Sequence, residues 1–202
     1  MHFLQKSLRL SSAKTAAILF GLIPFAWLFW GATQDALGSN PAEFLSRATG
    51  DWTLRFLCLT LVISPLRQSL GWPELARFRR MLGLLTYFYA VLHLLCYSWL
   101  DMGFEWADIV RDIGKRPFIW AGFGAFVLLT LLAATSSNRA VRWLGGKRWQ
   151  RLHQSVYLIA ALSLLHFFWM RAGKNNFAQV WAYAAAITLL LGWRVRRFIA
   201  KT

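Results

Sequence analysis

The residues best suited to chemistry in this chain are three of its four histidines. His93, His153 and His166 lie in or beside long apolar stretches, while His2 sits in the N-terminal tail. An ionisable side chain within an apolar span is costly and rare, and it marks a functional site by default. Histidine in such a place can donate an interhelical hydrogen bond, relay a proton, or ligate a metal through a neutral ring nitrogen. The apolar stretches hold no Asp or Glu to partner the histidines. A relay built on carboxylates therefore loses weight, and ligation gains it.

The elements that must position these rings are six apolar blocks. They run over residues 15–32, 52–66, 81–100, 118–135, 152–170 and 177–193. A helix rises ~1.5 Å per residue, so about 20 residues cross a hydrocarbon core of ~30 Å. The second block is short and carries Arg55, whose long side chain is expected to snorkel toward a headgroup. The fold class that follows is an all-α integral membrane protein, a six-helix transmembrane bundle forming one domain over 1–202. Pro24 and Pro65 fall inside blocks and predict kinks. Asn40-Pro41, Gly71-Trp72-Pro73, Arg116-Pro117 and Gly145-Gly146 punctuate the connections. The first block is too long for a signal-peptide core and lacks a small-residue cleavage site, so it reads as a retained helix. No internal repeat is visible. Cys58 and Cys96 have no CxxC context and read as small apolar residues.

Charge supports the same class. The chain has 23 Lys and Arg against 8 Asp and Glu, a net charge of +15, yet 57% of it is hydrophobic and 12 residues are Trp. A nucleic-acid partner does not fit so apolar a chain, and disorder is excluded. Sixteen of the basic residues fall on one side of the six blocks with Glu74 alone, and seven basic and seven acidic residues fall on the other. The positive-inside rule then places both termini in the cytoplasm. The excess records orientation and contact with anionic lipid.

With that orientation, His93 stands ~18 Å above the inner end of the third block and His166 ~21 Å above that of the fifth. Two imidazoles at one depth on neighbouring helices can clamp a flat metal macrocycle, as in axial ligation of haem iron within a bundle. Ligation from both sides leaves no open coordination position, which suits electron transfer. His153 lies ~20 Å lower than His166, suggesting a second redox position. On an ideal helix these two rings point ~140° apart, so a shared face needs irregular winding. The positions in the third block matching His153 are Arg79 and Arg80, not histidine. Those arginines can meet propionates or a phosphate, or act as ordinary positive-inside anchors.

Several strings carry a family resemblance. Trp149-Gln150-Arg151-Leu152-His153-Gln154-Ser155-Val156-Tyr157-Leu158, with His166 beyond, resembles the MsrQ/YedZ family. So do Arg79-Arg80-Met81-Leu82-Gly83-Leu84 leading to Leu92-His93, Ser64-Pro65-Leu66-Arg67, Arg116-Pro117-Phe118 and Gly21-Leu22-Ile23-Pro24. The family sits in a ferric-reductase-like transmembrane group that includes the membrane part of NADPH oxidases. The resemblance implies a haem b subunit, with one or two haems, in the bacterial inner membrane. It implies electrons taken from the quinone pool, an associated flavin (FMN), and delivery to a periplasmic molybdopterin-containing MsrP-type subunit that reduces oxidised methionine. It aligns His93, His153 and His166 with haem-associated histidines, where larger relatives have four in two pairs.

The residues constrain this picture. No GxGxxG motif is present, so the chain has no Rossmann unit for NAD(P)H. The connections are too short for a methionine sulfoxide reducing site, so no catalytic residue is expected in this chain. Asp101, Glu105, Asp108 and Asp112 cluster in one outer connection and read as a solvated loop or a docking patch. The competing classes are a small transporter or proton channel using intramembrane histidines, and an anchor without cofactor.

Overall fold

The structure is a computed structural model and describes residues 2–172 and 175–200. Among the basic residues used to assign sides, Lys174 and Lys201 lie outside the described residues, as do the side chains of Lys6 and Arg9. In chain order the helices are α1 (His2–Thr33), α2 (Pro41–Ser69), α3 (Ala76–Leu95), α4 (Trp106–Lys115), α5 (Pro117–Ala134), α6 (Asn138–Leu144), α7 (Gly146–His153), α8 (Val156–Ala172) and α9 (Ala178–Ile199). A 3-10 turn (Pro73–Leu75) precedes α3, and a π-helical segment (Cys96–Asp101) extends it.

Each apolar block lies within this helical chain. Four stretches are long and apolar enough to cross a membrane: Ser12–Thr33, Pro73–Asp101, Pro117–Ala134 and Gly146–Ala172. The remaining long helices are more polar: α2 carries Asp51 and Arg55, and α9 ends in Arg194, Arg196 and Arg197. The outward faces are apolar to a degree that water would not tolerate. Trp30 is 66% exposed and Leu189 73% exposed, with Leu19, Trp27, Trp120 and Trp181 also facing outward. Patches of this extent mark a lipid-facing surface.

Local chemistry sets the helix ends. Asn40 caps α2 by accepting from the Glu43 N–H at 3.1 Å, and Pro41 takes the first helical position. Pro117 does the same for α5. Gly145, at φ +75°, makes the corner between α6 and α7, a conformation that favours glycine.

Two antiparallel pairs form the centre, α2 with α3 and α5 with α8. Helix α9 packs on α2 and α8, and α1 on α3. The core between them holds Leu57, Leu61, Ala90, Leu129, Ile159 and Ala160.

Both predicted proline sites recruit a side chain from another helix. In α1, the buried Tyr89 hydroxyl of α3 accepts from the Phe25 N–H at 3.1 Å and donates to the Gly21 carbonyl at 2.8 Å. It stands between groups one turn apart, beside Pro24, and so bridges the ladder at the kink. Gly21 allows the approach, since a Cβ there would meet Leu85 at 2.5 Å. In α2, Pro65 has no N–H for the Leu61 carbonyl. Arg194 of α9 donates to that carbonyl at 2.8 Å.

Two expectations change here. The outer acidic connection is not a loop but includes α4, whose polar residues alternate with apolar ones on a strongly amphipathic helix. The connection between the fourth and fifth blocks is likewise helical, as α6 and α7. Arg55 is exposed and leans over Trp52 at 4.4 Å, one turn toward the N-terminal end of α2.

Tyr89→Phe should cost about 1–3 kcal/mol, because it strands a buried N–H and a buried carbonyl. Equilibrium unfolding in detergent checks this, and an unchanged midpoint would contradict the bridging role.

Candidate functional site

His93 on α3 and His166 on α8 face each other between the two helix pairs. Their ring centroids are 6.1 Å apart, with planes at 78°. His93 Nδ1 lies 2.8 Å from the Ser46 carbonyl of α2, and His166 Nδ1 lies 2.7 Å from the Phe118 carbonyl of α5. A carbonyl can only accept, so each Nδ1 carries the proton and donates. In a neutral imidazole this leaves Nε2 with its lone pair free. A carbonyl bound at Nδ1 in this way fixes the ring and aims Nε2, as a metal-ligating histidine requires.

Glycine makes room for both rings. Ser46 lies one helical turn before Gly50, and Phe118 one turn before Gly122. A Cβ on Gly50 would stand 3.1 Å from His93 Cε1, and one on Gly122 would stand 2.7 Å from His166 Nδ1. Each ring therefore lies over a glycine to reach the carbonyl one turn back. The same local device occurs once in each helix pair, although the sequence has no visible repeat.

This geometry fits an ion gripped from two sides. A histidine nitrogen sits ~2.0–2.1 Å from a bound first-row metal, so two rings on opposite sides place their centroids roughly 6–6.5 Å apart. A cluster of three or more metal-ligating side chains does not occur among the described residues. A two-histidine site fits a group that brings its own equatorial ligands, as haem does.

The π-helical segment follows His93 within one turn, a placement common at functional sites. It is tied to the other pair through Asp112 of α4. Tyr97 donates to Asp112 Oδ2 at 2.9 Å, and Arg116 Nε lies 2.7 Å from Asp112 Oδ1. Arg116 is the N-cap of α5, two residues before the carbonyl that holds His166. Asp112 is buried and links the segment after His93 to the start of α5. Neither Gly50, Gly122 nor this link stood out in the sequence, because a glycine in an apolar run reads as generic.

His153 is built differently. It closes α7, and the chain turns at Gln154 and Ser155 before α8 begins. Ser155 Oγ donates to the Leu152 carbonyl at 2.7 Å, competing with the helical ladder. The segment from His153 to α8 is therefore wound irregularly. His153 Nε2 lies 3.1 Å from Thr135 Oγ1, and Trp149 stacks on the ring at 4.1 Å. Trp149 Nε1 also donates to the Thr135 carbonyl at 2.8 Å, pinning the end of α5. Arg79 is within electrostatic reach of His153. Arg80 is turned elsewhere, to Asn138 Oδ1 at 3.4 Å. The inner level thus supplies one histidine and one arginine, and does not repeat the outer pair.

Comparison with known proteins bears on this geometry. The ferric reductase like transmembrane component family matches residues 49–164, a stretch with Gly50, His93, Gly122 and His153 that ends two residues short of His166. A protein-methionine-sulfoxide reductase heme-binding subunit MsrQ from Polaromonas naphthalenivorans (strain CJ2) is 65% identical over 197 residues, 98% of this chain and 90% of the relative. The chain belongs to the MsrQ/YedZ family. Relatives of the same description from Bordetella pertussis (50% identical, covering 90% of this chain and 88% of the relative) and Ralstonia nicotianae (51%, covering 94% and 87%) agree. No solved structure gives a significant match. This MsrQ/YedZ member is a multi-pass protein of the bacterial inner membrane.

Asp112→Ala should lower stability by about 2 kcal/mol, since Tyr97 and Arg116 lose a charged acceptor together. Thermal unfolding of the purified protein measures this. A change within error would mean that the link carries no load.

Proposed function

We propose that this chain is the haem-carrying membrane subunit of a methionine sulfoxide reductase system, moving electrons through the bilayer to a separate catalytic subunit. The relatives' names support the haem and the reductase system. The observation that carries the reading is the outer pair: two histidines 6.1 Å apart, each with Nδ1 bound to a carbonyl and Nε2 free.

In this reading all six long helices cross the membrane as a single domain over 1–202, with both termini cytoplasmic. The charge asymmetry supports that orientation. Helices α2 and α9 cross with their polar residues turned to protein partners or to the interfaces. His93 and His166 then lie nearer the periplasm, where an outgoing electron is needed. Haem b held there supplies one-electron chemistry at its iron. His93 and His166 would hold the group from two sides through their Nε2 atoms and would leave little room at the metal for oxygen or substrate. His153 with Arg79 marks a second, inner redox position ~20 Å lower.

The electron source is the quinone pool, with FMN as an associated flavin, and the recipient is a molybdopterin-containing MsrP-type subunit in the periplasm. A proton channel is disfavoured by the same geometry. Each Nδ1 proton is committed to a backbone carbonyl, and neither ring has an acidic partner.

Purified protein should show a Soret band and a reducible α-band. His93→Ala and His166→Ala should each remove the outer-site haem, while His153→Ala should retain it. Gly122→Ala should reduce outer-site haem several-fold by pushing His166 off the Phe118 carbonyl. Full haem content and unchanged spectra in both His93→Ala and His166→Ala would overturn the assignment.

A further inference from the structure

Arg194 is the one polar side chain whose buried nitrogen lacks a partner among the described residues. Its Nη2 donates to the Leu61 carbonyl left free by Pro65. Its Nη1 is buried and makes no hydrogen bond. The guanidinium lies 5.1 Å from the Tyr157 ring centroid, one helical turn beyond His153. Arg79 acts electrostatically on both Arg194 and His153. Residues from α2, α8 and α9 meet at this guanidinium, with Arg79 of α3 within electrostatic reach of it and of His153.

The cluster has two arginines, and no carboxylate acts on Arg194 or on His153. Arg194 is half-buried and Arg79 exposed, so the cost falls on the buried orphan donor, Arg194 Nη1. Native proteins resolve such a group with a bound water or ion. Water would satisfy the hydrogen bond, whereas an oxyanion would also answer the charge of two neighbouring guanidiniums. That side holds one acidic residue, Glu74, against sixteen basic ones, which favours an anion from outside the chain. Arg194 lies 16 residues beyond Ala178, or ~24 Å along α9, so it stands at the level where acid groups of lipids and membrane cofactors gather.

We propose that Arg194 and Arg79 bind an oxyanion, a carboxylate or phosphate, carried by a non-protein molecule beside His153. Arg194 suits the role because its planar fork can hold the Leu61 carbonyl with one nitrogen and the oxyanion with the other. The oxyanion comes from a carboxylate of a haem at the inner position or from the phosphate of a lipid. The first source deepens the reading of the inner level and rests on it.

The test compares wild type, Arg194→Leu and Arg79→Gln, the last of which keeps the Arg194–Leu61 bond. Haem-to-chain ratio is measured by extraction. Unfolding temperature is measured in maltoside with inorganic phosphate, with short-chain phosphatidylglycerol, and with sodium chloride at matched ionic strength. A haem source predicts that both variants lose about one haem per chain while the outer pair's absorption stays. A phosphate source predicts an unchanged haem ratio. Phosphate or phosphatidylglycerol, but not chloride, then raises the wild-type midpoint by roughly 5 °C, and both variants lose more than half of that rise. Equal haem ratios and equal midpoint shifts in all three proteins overturn the proposal. Loss of the outer pair's absorption in the wild type would instead count against the outer haem site.

Discussion

A helix in a bilayer has no water to satisfy a stray backbone group, so every carbonyl must find its partner within the protein. The polar contacts between helices here follow from that constraint. Tyr89 meets the Gly21 carbonyl, Arg194 the Leu61 carbonyl, His93 the Ser46 carbonyl and His166 the Phe118 carbonyl. In each case a side-chain donor on one helix reaches a carbonyl on its neighbour. Pro65 opens one of these acceptors and Pro24 stands beside another, and glycines at 21, 50 and 122 let the partner helices come close. Helix packing and histidine orientation are therefore one structural problem with one solution. The carbonyl that docks α3 on α2 also fixes the tautomer of His93, and the same holds for His166 between α8 and α5.

This has a consequence for function. A ring whose direction is set by a backbone carbonyl on a neighbouring helix is held in place, and under the proposed function such a hold would keep reorganisation low on electron transfer. Asp112 extends the same logic to the surface, because it joins the segment after His93 to the start of α5. The two histidine-bearing pairs are thereby held at one spacing at their outer ends.

Much of this was legible in the sequence. Helical rise alone put His93 and His166 at similar depth, and the turn at Gln154 and Ser155 interrupts the segment that carries His153 and His166. Pro24 and Pro65 announced kinks. Their partners were hidden, because Tyr89 sits in an apolar run and Arg194 among basic residues that orientation already explained. The glycine beds were hidden for a similar reason: only a neighbour's position shows why a Cβ is forbidden. Helix α4 is hard to see in the sequence because its acids outweigh its apolar stripe, and the burial of Asp112 shows only once Tyr97 and Arg116 are placed against it.

The central claim is that His93 and His166 grip one iron from opposite sides through Nε2, with ring planes near perpendicular. Low-temperature electron paramagnetic resonance of the oxidised, purified protein tests it most directly. The account predicts a low-spin ferric signal with its principal g value shifted high, as crossed imidazole planes produce. A predominantly high-spin ferric signal would contradict it, since one axial position would then be open or weakly held.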